Sequence, residues 1–404
     1  MEEKSPVYLV MVTTNNNNKY YRMIPHGDTF EAEYGRVGAS CQHASYSMSQ
    51  WNKKYNEKIK KGYVDQTHLV QDLIQKEKPR GKDGYKEIEN KVIAEIVQRL
   101  QDMAHQKIQA NYKVSSQQVT QAMVDEAQKV IDKLMQREEV ENFNNTLLEL
   151  FSVIPRKMGN VNDYLSRSKE DFARILKDEQ DLLDVMRGQV VTHTVQDEPD
   201  TDDVEEKQET ILKAMGLEFE ETTEEDVRMI KSLLGDCRDK FYRAWRVKNI
   251  KTQKRFDEFV NKEHISKTKL LWHGSRNENW WSIINTGLVL RPTNAVITGK
   301  MFGFGIYYAP KARKSLGYTS LSGSYWARGN SNSAFMALMD VAYGKPYDVH
   351  SFDSKYYDFN YERLQKTCPG ANCLHAHAGS MLRNDEIIVY KEDQCTIKYL
   401  VELR

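Results

Sequence analysis

Leu270-Leu271-Trp272-His273-Gly274-Ser275-Arg276 is an apolar run that closes on an imidazole, a glycine, a hydroxyl and a guanidinium. A strand that ends this way presents polar groups beside bare backbone, as a ligand cleft lined by strand ends requires. Two later segments repeat the design: Thr298-Gly299-Lys300-Met301-Phe302-Gly303-Phe304-Gly305-Ile306-Tyr307-Tyr308-Ala309 and Asn384-Asp385-Glu386-Ile387-Ile388-Val389-Tyr390. Alone, His273 reads as a hydrogen-bonded structural histidine and Glu386 as a strand-edge charge. Three such segments in one chain point instead to a shared cleft. From Lys269 onward β-type runs and glycines dominate, and residues 387–390 and 396–403 predict a closing hairpin.

Working outward from this region, the periodicity changes. Residues 86–190 carry helical spacing, with Ile88, Val92, Ile93, Ile96, Val97, Leu100 and Met103 on one face. Ser115-x-x-Gln118 resembles a capping box for the next helix. Asp197, Glu198, Asp200, Asp202, Asp203, Glu205 and Glu206 crowd a stretch that suits a solvated linker. The first 66 residues alternate short apolar runs with turn signals, Asn15 to Asn18 and His26-Gly27-Asp28, which predicts a small antiparallel sheet. A lysine-rich helical stretch follows through Trp51, Lys53, Lys54, Lys58, Lys60 and Lys61. The reading is an α+β multidomain chain: a small antiparallel β module over 1–82, an all-α helical bundle over 86–190, an acidic linker over 191–223, and a mixed, β-rich domain over 224–404.

Composition narrows the function. Lys+Arg and Asp+Glu both number 58, so the formal net charge is zero and any nucleic-acid surface must be local. No apolar run is long enough for a membrane helix, the N-terminus has no secretory pattern, and no membrane partner is expected. Five scattered cysteines do not make a disulfide framework and point to an intracellular, reducing setting. Cys368, Cys373, His375 and His377 are spaced poorly for a structural zinc site, and no metal is expected.

The three blocks resemble, in order and rough spacing, the signature segments of the poly(ADP-ribose) polymerase catalytic domain. That resemblance implies an ADP-ribosyltransferase fold, NAD⁺ as substrate, and a catalytic triad at His273, Tyr307 and Glu386. It also implies NAD⁺ contacts from His273, Gly274, Ser275, Asn279, Tyr307, Ser315 and Tyr318. The chemistry is coherent with those residue types. A flat pyridinium amide needs a stacking ring, a hydroxyl and accessible backbone, and a carboxylate stabilises the oxocarbenium-like ribose formed as nicotinamide leaves. The chain departs from the family pattern at Lys300, where an aromatic residue is usual, and in a short stretch between Gly344 and Glu386.

Tyr34-Gly35-Arg36-Val37-Gly38 resembles the Trp-Gly-Arg module found beside this catalytic domain, with tyrosine in the tryptophan position. The resemblance implies DNA ends or nicks as a partner, contacted by Tyr34, Arg36 and Trp51. Leu147 to Pro155 and Asp178 to Asp184 resemble the family's regulatory helical domain, implying autoinhibition relieved by DNA. The expected activity is DNA-break-stimulated polymerisation of ADP-ribose on the protein itself and on nearby acceptors. The alternatives are mono-ADP-ribosyl transfer and an inactive DNA-end-binding scaffold. The expected location is the nucleus in a eukaryote, where the run 76–82 is a weak import signal, or the bacterial cytoplasm and nucleoid.

Overall fold

The computed structural model describes residues 4–74, 86–111, 119–196, 209–290, 301–380 and 382–404. Ser115, the acidic run 197–206, the basic run 76–82 and Lys300 lie outside the described residues. The chain divides into two compact units, one of residues 1–82 and 105–190, the other of 83–104 and 191–404.

In the first unit, strands β1 (Val7–Thr13), β2 (Asn17–His26), β3 (Thr29–Arg36), β4 (Gln42–Ser47) and β5 (Val64–Asp65) form one sheet in the order β4-β3-β2-β1-β5. All of its pairings are antiparallel. The alternation works as the sequence implies: Leu9, Tyr21, Met23, Phe30 and Ala32 turn to one face and are buried under helix α1 (Trp51–Lys60). Helix α2 (Thr67–Ile74) follows. Helix α3 (Lys91–Asn111) contributes its residues to 104 to the second unit and the remainder to the first.

Helices α4 (Gln121–Leu134), α5 (Val140–Val153) and, as far as residue 190, α6 (Phe172–Gln196) complete the first unit. Helix α4 is capped by Thr120, whose hydroxyl accepts from Met123 N at 3.1 Å. The buried pair Arg156–Glu179, only 6% and 8% exposed, ties α6 to the segment after α5. Asn18 Nδ2 donates to Arg156 O at 2.9 Å, joining the β module to the same segment.

The second unit holds two sheets. Strands β6 (Leu217–Glu221), β7 (Phe241–Asn249), β8 (Lys269–Gly274), β10 (Ala334–Val341) and β14 (Cys395–Leu403) run in the order β6-β7-β14-β10-β8. Strands β9 (Ile306–Tyr308), β11 (Pro346–Val349), β12 (Cys373–Ala376) and β13 (Glu386–Val389) run β11-β12-β13-β9, with β11 and β12 parallel. Trp272 and Ala309 exchange backbone hydrogen bonds of 2.9 and 3.0 Å and so stitch β8 to the end of β9. Helices α7 (Ile211–Ala214), α8 (Glu224–Leu234), α9 (Ile250–Lys262), α10 (Trp280–Thr286), α11 (Ala312–Leu316) and α12 (Tyr361–Thr367) surround the sheets. The whole is α+β, as the sequence implies.

The expected closing hairpin does not form, because β13 and β14 belong to different sheets. The fully buried Gln394 makes the crossing: its amide oxygen accepts from Tyr390 N and Lys391 N, and its Nε2 donates to Asn372 O at 2.7 Å. Those bonds satisfy backbone groups that a hairpin ladder would otherwise have paired. The first turns of α3 also pack within this unit, where Arg99 reaches Glu402 Oε1 at 2.9 Å and Ser333 Oγ at 2.8 Å.

Candidate active site

Strands β8, β9 and β13 position His273, Tyr307 and Glu386, and helix α11 positions Lys314 and Ser315. His273 sits at the last turn-out of β8, one residue beyond the Trp272–Ala309 bridge, and its Nδ1 lies 3.1 Å from Tyr307 O. That contact makes Nδ1 the protonated nitrogen, since a carbonyl can only accept. Tyr308 and Trp280 meet the imidazole edge-on, at 5.9 and 6.4 Å between ring centroids. Tyr307 on β9 pairs with Ile388 on β13, and its hydroxyl donates to Gly303 O and accepts from Phe302 N, both at 3.1 Å. The tight loop that allows this needs glycine: Gly303 has φ +70°, and a Cβ there would lie 2.1 Å from Phe359 O.

Glu386 opens β13, where it pairs with Ala376 and is 8% exposed. Lys314 of α11 reaches its Oε1 at 2.6 Å. The ion pair therefore sits largely out of solvent, which makes each partner dependent on the other. Two phenols feel the Glu386 charge. Burial, opposed by the Phe302 N–H and reinforced by Glu386, holds the Tyr307 phenol well above the ordinary tyrosine range. Burial and then Glu386 push the Tyr318 phenol up to about 12. Both rings are neutral at physiological pH and can serve as stacking surfaces.

Ser315 is buried on α11 and donates its hydroxyl to Trp272 O at 3.0 Å, which leaves its oxygen lone pairs as acceptors. Tyr318 follows, anchored by its N–H to Ser315 O, and stacks on the exposed Trp326 ring at 6.2 Å and 16°. Asn279 Nδ2 donates to Ser275 Oγ at 3.0 Å, fixing the two against each other after β8. Thus His273 and Tyr307 meet where β8 joins β9, and Ser315, bonded to the Trp272 carbonyl, brings Tyr318 to the same junction. Lys314 escaped the sequence reading. Its position beside Ser315, four residues before Tyr318, was the available signal, since that spacing can bring both side chains to one face.

The residues expected at a nucleic-acid face are placed differently from one another. Trp51 is 5% exposed and packs edge-on against Phe30 at 5.1 Å, so it is a core residue of the β module without a ring face to offer. Arg36 is half-buried and already hydrogen-bonded within the protein. Its guanidinium donates to Asn16 O, Asn16 Oδ1, Met158 O and Gly159 O, at 2.8 to 3.1 Å, and so clamps the β1–β2 turn to the segment after α5. Tyr34 is half-buried within a lysine–aromatic group. Lys58 lies 4.1 Å above the Tyr21 ring, 5.7 Å from Tyr34 and 5.5 Å from Tyr63, and Lys54 lies 4.3 Å above Tyr46.

The cysteine-based zinc set does not assemble. Cys373 is fully buried with its thiol on Tyr343 O at 3.2 Å, and Cys368 closes α12, leaving only His375 and His377 together.

Residues 224–404 match the family model of the poly(ADP-ribose) polymerase catalytic domain, and residues 5–70 match the WGR domain. A putative poly [ADP-ribose] polymerase-like protein 100L of Invertebrate iridescent virus 6 is 32% identical over 168 residues, covering 41% of this chain and 87% of the viral protein. Protein 101L of the same virus, uncharacterised, is 34% identical over 186 residues, 45% of this chain and 76% of its own. Poly [ADP-ribose] polymerase 2-A of rice is 25% identical over 312 residues, 68% of this chain but only 44% of the plant protein. The catalytic domain is that of an NAD⁺ ADP-ribosyltransferase, and with the catalytic-domain match and these relatives in agreement, the chain belongs to the poly(ADP-ribose) polymerase family.

Proposed function

We propose that this protein polymerises ADP-ribose on itself and on neighbouring proteins, releasing nicotinamide, and that DNA ends or nicks stimulate it. The observation that carries the reading is the Lys314–Glu386 pair, which holds a carboxylate in a largely desolvated strand end beside two neutral phenols. In this reading the carboxamide of NAD⁺ lies against the Gly274 backbone and the acceptor lone pairs of Ser315, with Tyr318 stacked on the ring. His273, Ser275 and Asn279 hold the adenosine side. As the C1′–N bond breaks, its electron pair leaves with nicotinamide; an acceptor oxygen adds to C1′ and gives up its proton. Glu386 stabilises the cationic ribose and orients the incoming hydroxyl, which in elongation is a ribose hydroxyl of the previous unit.

The nucleic-acid surface we assign to the lysine–aromatic group of Lys54, Lys58, Tyr34 and Tyr63. Ammonium groups held over rings there offer phosphate contacts and stacking without sequence readout. Arg36 we assign to coupling: it joins the β module to the helical segment at 158–159, so DNA bound on the module can bias the packing of the helices.

Labelled NAD⁺, with and without nicked DNA, tests the reading on wild type beside Glu386→Gln. A DNA-dependent ladder is expected for wild type, and for the variant no ladder but residual NAD⁺ hydrolysis or single attachment. A single shift in wild type would make it a mono-transferase, and no product at all would make it a scaffold.

A further inference from the structure

Opposite Glu386, on the other face of the same sheet, a second cluster of chemistry-bearing side chains is assembled. His375 pairs in register with Asp348 on one side and with Ile387 on the other, so Asp348, His375 and Asp385 share a face, while Ala376 and Glu386 share the opposite one. His377 continues that face just past β12. The imidazoles of His375 and His377 stack at 3.9 Å, and His350 stacks on His377 at 4.4 Å and 11°. Asp348 Oδ1 lies 2.7 Å from His377 Nε2 and 3.8 Å from His375 Nδ1, and the ligand atoms of these three residues lie within 4.8 Å of one another.

We propose that Asp348, His375 and His377 form a binding site for a borderline divalent transition metal, zinc in the first instance, on the face of the sheet away from the transfer chemistry. Tetrahedral ligands at zinc bond lengths stand about 3.3 Å apart, a spacing that the 2.7 and 3.8 Å separations bracket. The surroundings are those of a metal-bound imidazole. Asp385 Oδ2 lies 3.0 Å from His375 Nε2 and 3.9 Å from His377 Nδ1, the nitrogens that face away from Asp348. Asp385 is itself fixed by the Ala378 N–H at 2.8 Å. A carboxylate behind the far nitrogen sets the tautomer that leaves the near nitrogen free to ligate. Tyr343 OH, 2.9 Å from His375 Nδ1, is close enough to yield that nitrogen and to hold a water in the remaining coordination position. Two imidazoles with one carboxylate exclude magnesium and calcium, which take oxygen donors. Two ammonium groups stand nearby, those of Lys269 and Lys267, and both lie over the Tyr343 ring, at 3.4 and 5.5 Å. Binding here would fix the Asp385–Glu386 end of β13 from behind.

The full chain, stripped by chelation and titrated with zinc against a chromophoric chelator, tests the site, with cobalt(II) absorption as a second readout of coordination. One equivalent is expected in wild type. It should be lost in His377→Ala and Asp348→Asn and weakened about 10–100-fold in Asp385→Asn. It should be unchanged in His43→Ala, which removes the exposed histidine of the Glu31–Glu33–His43 group. Circular dichroism reports the folding of each variant, and Asp348, on a half-exposed strand position, decides the matter if His377→Ala does not fold. The proposal is overturned if wild type binds no zinc saturably, if folded Asp348→Asn binds as wild type does, or if binding disappears with His43→Ala.

Discussion

Gly274→Ala is the substitution for which the structure forecasts the largest effect from a single methyl group. A Cβ on Gly274 would lie 2.0 Å from the Ser315 carbonyl oxygen, 2.8 Å from its carbon and 3.4 Å from its Cα. All three atoms met are backbone atoms, so no side chain can swing away, and ordinary contact requires β8 and α11 to part by about 1.4 Å. That movement breaks the 3.0 Å bond from Ser315 Oγ to Trp272 O. Overpacking of about 1–3 kcal/mol and the lost hydrogen bond of about 1 kcal/mol together cost about 2–4 kcal/mol. At about 2–4 °C per kcal/mol for a unit of this size, the melting temperature falls by several degrees. Lys314 moves with Ser315, which draws the ammonium away from Glu386, and a misplacement of about 1 Å at a reacting group costs about 10²-fold in turnover. Automodification kinetics with labelled NAD⁺, at a temperature where both proteins are folded, measure the outcome. Gly159→Ala serves as the control, since a Cβ there meets nothing within 4 Å. A Gly274→Ala enzyme that turns over within roughly threefold of wild type, a difference of under about 1 kcal/mol in barrier, refutes the argument that close β8–α11 approach organises the site.

Three further outcomes are expected. Lys314→Met leaves the Glu386 carboxylate without its cation and lowers kcat about 10²-fold while leaving the KM for NAD⁺ close to wild type; an unchanged kcat removes Lys314 from the site. Burial works against the Asp226 charge, but Arg246, the Thr223 N–H and the Tyr399 hydroxyl overcome it and hold its carboxyl down at about 2. Because the folded value lies below the unfolded one, this stabilisation is full above about pH 4 and fades as pH falls toward 2. Asp226→Asn should therefore cost about 2 kcal/mol at neutral pH, and the gap in denaturant midpoint should close on acidification. Glu179→Ala strands the buried Arg156 charge and should destabilise the first unit by about 3–5 kcal/mol, with the double substitution to methionines at 156 and 179 restoring most of it in thermal unfolding.

Much of this molecule was legible along the chain. The change from alternating to helical spacing near residue 86, and back to β-type runs by Lys269, reflects which backbone period buries apolar side chains, a local property. The antiparallel β module followed from turn residues between short apolar runs, and the strands that carry His273, Tyr307 and Glu386 from apolar runs bordered by polar groups. Partners were another matter, because period assigns a side chain to a face and says nothing of what meets it. Trp51 belongs to the core and Arg36 to the backbone carbonyls of a segment distant in sequence, although both sit in a basic, aromatic stretch that reads as a surface for DNA. The closing strands part into two sheets because buried Gln394 satisfies the backbone between them. Lys314 meets Glu386, and Asp348 meets His377, only because strands far apart in sequence are brought side by side. Such pairings are decided when the sheets pack, where the desolvation of each charge can be offset only by the group that geometry puts opposite it.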